Sequence, residues 1–278
     1  MVTRIRHAQA SDQTRLANLI YFDEHVHRHL DWRSPFDWLG APEYWVIEQD
    51  DVVVAVLACP PDPEKIAWLR LFAHSNQVAL KDAWHALWQT ALNELPAGLT
   101  VAAIGMSPWV QDLLRQSNFR LTQQIIMLEY TGKASPRRMM PPEISLRSMN
   151  FQDLPDVTRL DATAFTPLWR NSLPALQQAF RQAQFASIAT RGSSTIGYQI
   201  STKTPVGAHL ARLAVDPSSQ NSGIGCGLLQ ELLFQAQRAN IRRITVNTQN
   251  DNAASLALYQ KIGFRRTGEQ YPVYTYFM

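Results

Sequence analysis

The strongest constraint on the fold is internal to the chain. The segment "LTVAAIGMSPWVQDLLRQSNFRL" (99–121) lies over "ITVNTQNDNAASLALYQKIGFRR" (244–266) without a gap, at a constant offset of 145 residues. A repeat of domain length means two copies of one fold, not a solenoid of short units. The halves also open alike. "RIRHAQASDQTRLANLI" and "SLRSMNFQDLPDVTRLDATAF" each give a short Arg-bearing strand, a polar turn with Asp, and a helix of apolar periodicity. Between them "TGKASPRRMMPPE" (131–143) is polar, basic and Pro-rich, and reads as a linker. The expected organisation is a domain over 1–130, a linker over 131–143 and a second domain over 144–278.

Composition narrows the class. A chain of 278 residues accommodates two domains, and 46% hydrophobic with 18% charged residues is a globular balance, not a disordered one. A formal charge of +3 favours anionic ligands, yet no Lys/Arg run is dense enough to argue for nucleic acid. No segment approaches the roughly 18 apolar residues of a membrane span, and "MVTRIRHAQASDQ" lacks a signal-peptide core. Cys59 and Cys226 make neither a disulfide framework nor a metal-ligand pattern. These features predict a cytoplasmic protein, monomer or homodimer, without a metal, membrane or nucleic-acid partner.

In the second half the patterns predict strands near 144–148, 185–190, 195–201, 208–215, 241–247 and 262–277, and helices near 151–163, 223–239 and 252–261. "HLARLAV" is largely apolar, as in a strand buried on both faces. The helix after it carries Leu228, Leu229, Leu232, Leu233 and Ala236 on one face. The fold class is α/β, or α+β in schemes that separate mixed sheets.

Between that strand and helix stands "QNSGIGCG" (220–227). It is not a P-loop, because Gly227 is followed by Leu228 and no Lys-Ser/Thr pair serves phosphate and magnesium. Nor is it a dinucleotide-binding turn, since Leu228 stands where the third glycine belongs and the loop falls deep inside its half. Gln220 to Gly225 reads Gln-x-x-Gly-x-Gly after "VDP". Successive N–H groups at a helix N-terminus favour a pyrophosphate there, and glycine lets it approach the main chain.

This pattern resembles the acyl-CoA loop of the GNAT superfamily of N-acetyltransferases. "NDNAASLALYQKIGF" (250–264) is similar to that superfamily's second signature, Asn-x-x-Ala/Ser-x-x-x-Tyr-x-x-x-Gly-Phe. The resemblance covers essentially the whole second half. It implies two domains, each a mixed, centrally splayed β-sheet flanked by helices, with acetyl-CoA as co-substrate. The pantetheine arm would lie along Leu213, Ala214 and Val215, and the pyrophosphate on Gln220, Asn221, Ser222, Gly223, Ile224 and Gly225. Asn252 and Ser255 would flank the cofactor. The amide of Val215 would polarise the thioester carbonyl, and Asn247 would face the acceptor or bridge the splayed strands.

Acetyl transfer to an amine needs deprotonation of the amine and protonation of the leaving thiolate. Tyr259 is the candidate general acid, at the position the superfamily uses so; packing on a helix face is the plainer alternative. His209 stands where many members carry Glu and is a candidate base, with an ordinary pKa near 6.5. A structural role for His209, with a water relay as base, is the rival. Cys226 at the helix start is read as packing, not as a nucleophile.

The first copy has lost these features. "LRLFAHSNQVALKDAWHALW" (69–88) contains no glycine, and under the repeat register Asn252 becomes Ser107, Tyr259 becomes Leu114 and Gly263 becomes Asn118. The first domain is expected to be catalytically silent. Trp32, Trp38, Trp45, Trp68, Trp84 and Trp88 read as core before pocket wall. In "DEHVHRHLDW" (23–32), a helix would put His25 and His29 on one face, but no further ligand completes a metal site. A solvated or acceptor-lining stretch is the expectation.

The overall expectation is a tandem acetyltransferase whose C-terminal domain moves an acetyl group to a primary amine of a small molecule or peptide. Its plan is similar in architecture to that of the mycothiol synthases. A non-catalytic acyl-CoA-binding, sensing or scaffold protein, and an enzyme using a longer acyl-CoA, are the alternatives.

Overall fold

The computed structural model describes residues 3–132 and 140–278; residues 133–139 of the expected linker lie outside the described residues. The chain forms two compact units, Met1–Gln123 with Tyr271–Met278, and Gln124–Gln270. The division therefore runs through two long strands, and the C-terminal segment joins the first unit. A Pro-rich stretch signals a loop, but membership of a unit is set by which strand a segment pairs with.

The first unit contains β1 (Thr3–His7), α1 (Gln13–Phe22), β2 (His25–Arg28), β3 (Tyr44–Gln49), β4 (Val52–Ala58), β5 (Ile66–Trp68), β6 (Leu71–His74), α2 (Leu80–Glu94), β7 (Thr100–Ile104), α3 (Pro108–Gln116) and the start of β8 (Arg120–Tyr130). One sheet has the order β1-β3-β4-β6-β2. β5 pairs in parallel with β7, and Val273–Phe277 pair antiparallel with the other side of β7. Trp45, Trp84 and Trp88 are buried with Phe72, Leu87, Leu114 and Tyr274 in one core. The rings of Trp84 and Trp88 stack at 5.8 Å, the contact that i, i+4 spacing on a helix permits. Leu16, Leu19, Tyr44, Val56 and Leu71 build the second core, beneath α1.

β2 departs from the helical reading of residues 23–32. His25 pairs with His74 and His27 with Phe72 in an antiparallel ladder. On a strand of period two, His25, His27 and His29 share a face. His27 is buried at 2% exposure, its Nε2 lies 3.2 Å from the Leu69 carbonyl, and burial pulls its pKa down to about 4.

The second unit contains the end of β8, then β9 (Ile144–Ser148), α4 (Leu154–Ala164), α5 (Leu173–Arg181), β10 (Ala183–Arg191), β11 (Ser194–Thr204), β12 (Gly207–Val215), α6 (Ile224–Arg238), β13 (Ile244–Gln249), α7 (Ala253–Ile262) and the part of β14 (Arg265–Phe277) up to Gln270. From β8 the strand order is β8-β13-β12-β11-β10-β9. All strands are antiparallel to their neighbours except β12 and β13, which run parallel. The apolar face of α6 packs through Leu229, Leu232, Leu233 and Ala236 onto Ala208, Leu210 and Val246 of these central strands. α5 was not anticipated; its start carries Ser172 as N-cap, bonded to the Ala175 N–H, with Pro at the first turn. No helix among the described residues is long and apolar enough to cross a membrane.

The parallel pair does not stay together. β12 and β13 match only over Ala208–Leu210 and Ile244–Val246. On its other edge β12 follows β11 to Val215, with a register shift that leaves Ala211 as an extra residue between Leu210 and Arg212. Such a bulge bends the strand and raises its twist. Past it, β12 and β13 part, and Leu213 to Val215 have no strand partner on the β13 side.

Candidate active site

The cleft between β12 and β13 ends at the glycine loop. Asn221 and Gly223 both hold left-handed backbone, at φ 61° and 90°. Gly223 is the N-cap of α6 and contributes no side-chain bond. Among the described residues, no carbonyl or side chain accepts the N–H of any residue from Asn221 to Cys226. A row of open donors at the positive end of a helix is a site for an anion. Gly225 lies in the first turn, where a Cβ would come within 3.2 Å of Leu258 on α7 and 3.6 Å of Val215 on β12. Loop, strand end and α7 thus converge on one place. Gln220 folds its amide back onto the Val215 carbonyl at 3.3 Å, and Ser222 bonds the Ser219 carbonyl at 2.5 Å. Arg191, which the sequence did not single out, reaches Ser219 at 3.5 Å and sets a cation beside the loop.

Tyr259 on α7 is 4% exposed, in a cluster with Leu210, Leu229, Cys226 and Phe264. Its ring lies 5.6 Å from that of Phe264. Burial pushes its phenol well above the ordinary value, so the proton stays on at neutral pH, and no described side chain takes it. Asn252 caps α7, accepting the Ser255 N–H at 3.1 Å. Asn247 on β13 buries its Oδ1 without a partner, and such an atom favours a donor from outside the chain. Ala214 is buried and Ile224 packs with Leu228, so both act through backbone and shape.

His209 lies on the other face of the sheet. Directly opposed residues of an antiparallel pair share a face, and His209, Arg212 and Ala214 oppose Thr202, Ile200 and Tyr198. Ala208 and Leu210, its neighbours, pack with Tyr259 beneath α6. No described contact joins His209 to Tyr259. The His209 Nδ1 lies 2.9 Å from the Thr245 Oγ1, and burial lowers its pKa below 6.5. The ring is therefore neutral, and able to accept a proton, at pH 7.

Beside His209 stands a charge network the sequence did not disclose. Arg212 bonds Asp161 of α4 through Nε at 2.7 Å and Nη2 at 2.9 Å. Tyr198 donates to the same carboxylate at 2.5 Å, and the Asn171 N–H at 2.8 Å. The Arg212 guanidinium also bonds the Trp169 carbonyl and covers the Phe165 ring at 3.5 Å. The segment 165–171 is thereby tied to the face of β12 that carries His209.

The first unit shows what this cleft becomes when filled. β5 matches β7 over Ile66–Trp68, and beyond that point β6 takes β2 as its neighbour on the edge away from β4. That is the edge which, in β12, has no strand partner. The equivalent of Tyr259, Leu114, is fully buried in the core.

Residues 154–264 match the model of the "Acetyltransferase (GNAT) family". An Escherichia coli (strain K12) "[Ribosomal protein bS18]-alanine N-acetyltransferase" is 27% identical over 120 residues, covering 43% of this chain and 80% of that protein. A "Mycothiol acetyltransferase" of Amycolatopsis mediterranei is 30% identical over 200 residues, covering 63% of this chain and 65% of that protein. A solved "Tandem GNAT protein from the clavulanic acid biosynthesis pathway" superposes on 99% of this chain and 98% of its own, at a TM-score of 0.64 and 14% identity. That likeness shows the fold throughout: two GNAT-like domains of mixed sheet and helices. The chain therefore carries, over residues 154–264, an acetyltransferase domain of the GNAT family.

Proposed function

We propose that the second unit is an acetyl-CoA-dependent N-acetyltransferase acting on a primary amine, and that the first unit binds no acyl-CoA. The observation that carries this reading is the contrast between the two clefts. In the second unit, among the described residues, β12 has no strand partner on its β13 edge past Leu210, and the N–H groups from Asn221 to Cys226 are open. In the first, β2 covers the corresponding edge and no glycine loop follows.

The residues fit acetyl-CoA as co-substrate. Asn221 to Gly225 would hold the pyrophosphate, Leu213 and Val215 the pantetheine amides, and the free Oδ1 of Asn247 a donor of the same arm. The amine would approach from the His209 face, with its position set by the segment that Arg212 and Asp161 hold in place. His209 Nε2 takes a proton from the ammonium, directly or through one water. The amine nitrogen then attacks the thioester carbon, and the C–S bond breaks as Tyr259 gives its proton to the departing sulfur. The second proton of the attacking nitrogen passes back to the Tyr259 phenolate through water, and His209 releases its own to solvent. The products are the amide and free CoA thiol. A base and an acid on separate elements are needed because an alkylamine, of pKa near 10.4, and a thiolate require opposite proton transfers.

The Escherichia coli relative is named for the alanine of a ribosomal protein and the Amycolatopsis relative for mycothiol. Both peptide α-amines and small-molecule amines therefore belong in the acceptor panel. The test is thiol release from acetyl-CoA by the full chain over that panel, with Tyr259→Phe and His209→Gln. Turnover that falls on the order of a hundredfold in each variant is expected. Unchanged turnover in both variants overturns the assignment, and no turnover with any amine favours an acyl-CoA-binding role.

A further inference from the structure

We propose that Thr245 is a positioning residue for His209, holding its ring as the Nδ1–H tautomer so that Nε2 is the bare, proton-accepting nitrogen. The inference rests on the reading of His209 as the base and adds what selects its reactive nitrogen.

Thr245 stands directly opposite His209 in the parallel register of β12 and β13. Its Oγ1 lies 2.9 Å from His209 Nδ1 and 3.5 Å from the Ala208 carbonyl. A hydroxyl has one proton and two lone pairs. With the proton directed at the carbonyl, which can only accept, a lone pair faces the imidazole. Nδ1 must then carry hydrogen, and a neutral ring with hydrogen on Nδ1 has its lone pair on Nε2. Thr245 is buried at 8% exposure, so little water competes for these bonds, and in the other tautomer the hydroxyl would turn its one proton to Nδ1 and give up the Ala208 carbonyl.

The pair sits at the vertex of the cleft, because the ladder ends one residue further on, at Leu210 and Val246. Among the described residues, no charged group bonds the His209 ring. Glu129, opposite Thr245 on β8, is paired with Arg243 at 2.9 Å, and Lys203 on β11 is exposed. Burial alone accounts for the lowered pKa of His209. The first unit supplies a control. There Thr100 occupies the corresponding strand position, but opposite Ile66, with no imidazole to orient.

The test uses the full chain with ¹⁵N-labelled histidine, and the NMR shifts of the ring nitrogens at a pH where His209 is neutral. The wild type and Thr245→Ser should both show Nδ1–H at His209, and Thr245→Val should lose it. In thiol release from acetyl-CoA, Thr245→Val should lower kcat about tenfold, part of the range for general base catalysis, at unchanged KM for acetyl-CoA. Thr245→Ser should restore kcat, and Thr100→Val should not change it. An Nε2–H ring in the wild type, or a tautomer unmoved in Thr245→Val, overturns the proposal. Should His209→Gln leave turnover intact, the base reading falls by itself, while the tautomer measurement still decides the Thr245–His209 bond.

Discussion

Arg212 and Asp161 meet in parallel, Nε to Oδ2 and Nη2 to Oδ1, with the carboxylate fully buried and the guanidinium side chain 11% exposed. The pair fastens α4 to the strand that carries His209. Removing one partner of a buried pair leaves the other charge desolvated and costs about 3–5 kcal/mol. Asp161→Ala should lower the denaturant midpoint of the second unit accordingly. Tyr198→Phe, which removes one neutral donor from the same carboxylate, should cost about 1–2 kcal/mol.

The pH profile of kcat/KM should reflect the two buried groups. Burial lowers the His209 pKa, so its neutral, basic form persists at pH 7 and the acid limb should fall below pH 6.5. Burial raises that of Tyr259, so no loss of its proton should produce an alkaline limb up to about pH 10, the ordinary phenol value. Initial rates between pH 5 and 10 test both statements, and an acid limb retained in His209→Gln would refute the first.

The two glycines of the loop should separate by effect. Gly223 has left-handed backbone with open space around it, so Gly223→Ala should cost about 1–2 kcal/mol through backbone strain. Gly225 is an ordinary helical residue pressed against Leu258 and Val215, where Ala gains helix propensity of about 1 kcal/mol and loses it to crowding. Gly225→Ala should therefore change stability little while raising KM for acetyl-CoA. Thermal melts and substrate saturation curves distinguish the two.

His27 gives the first unit an acid sensitivity. Its folded pKa of about 4 lies below the ordinary 6.5, so between these values the unfolded chain binds the extra proton. Its contribution is intact above pH 6.5 and is lost as pH falls toward 4, by on the order of 3 kcal/mol. His27→Leu should flatten the pH dependence of the first unit's unfolding midpoint across this window. An unchanged slope would show that His27 is not its source.

Legibility in the sequence followed the range of the signal. α6 and α7 lie within a residue or so of expectation because a local period and a glycine or Asn cap mark their ends. β2 was not legible because alternating histidines carry no apolar pattern and owe their strand to pairing with β6. The loop, Tyr259 and Asn252 were visible as spaced residue types. The Asp161–Tyr198–Arg212 network was not, because its members stand 37 and 51 positions apart and meet only through packing. Thr245 was hidden likewise, 36 positions from His209.

β2 does more than fill a cleft. A strand with one unpaired margin is a template for any passing chain, and folded proteins shield such margins to avoid sticking to one another. In the first unit, β2 is that shield, paired along β6 from Leu71 to His74. A four-residue strand, His25–Arg28, thus keeps the margin of β6 from offering itself to other chains.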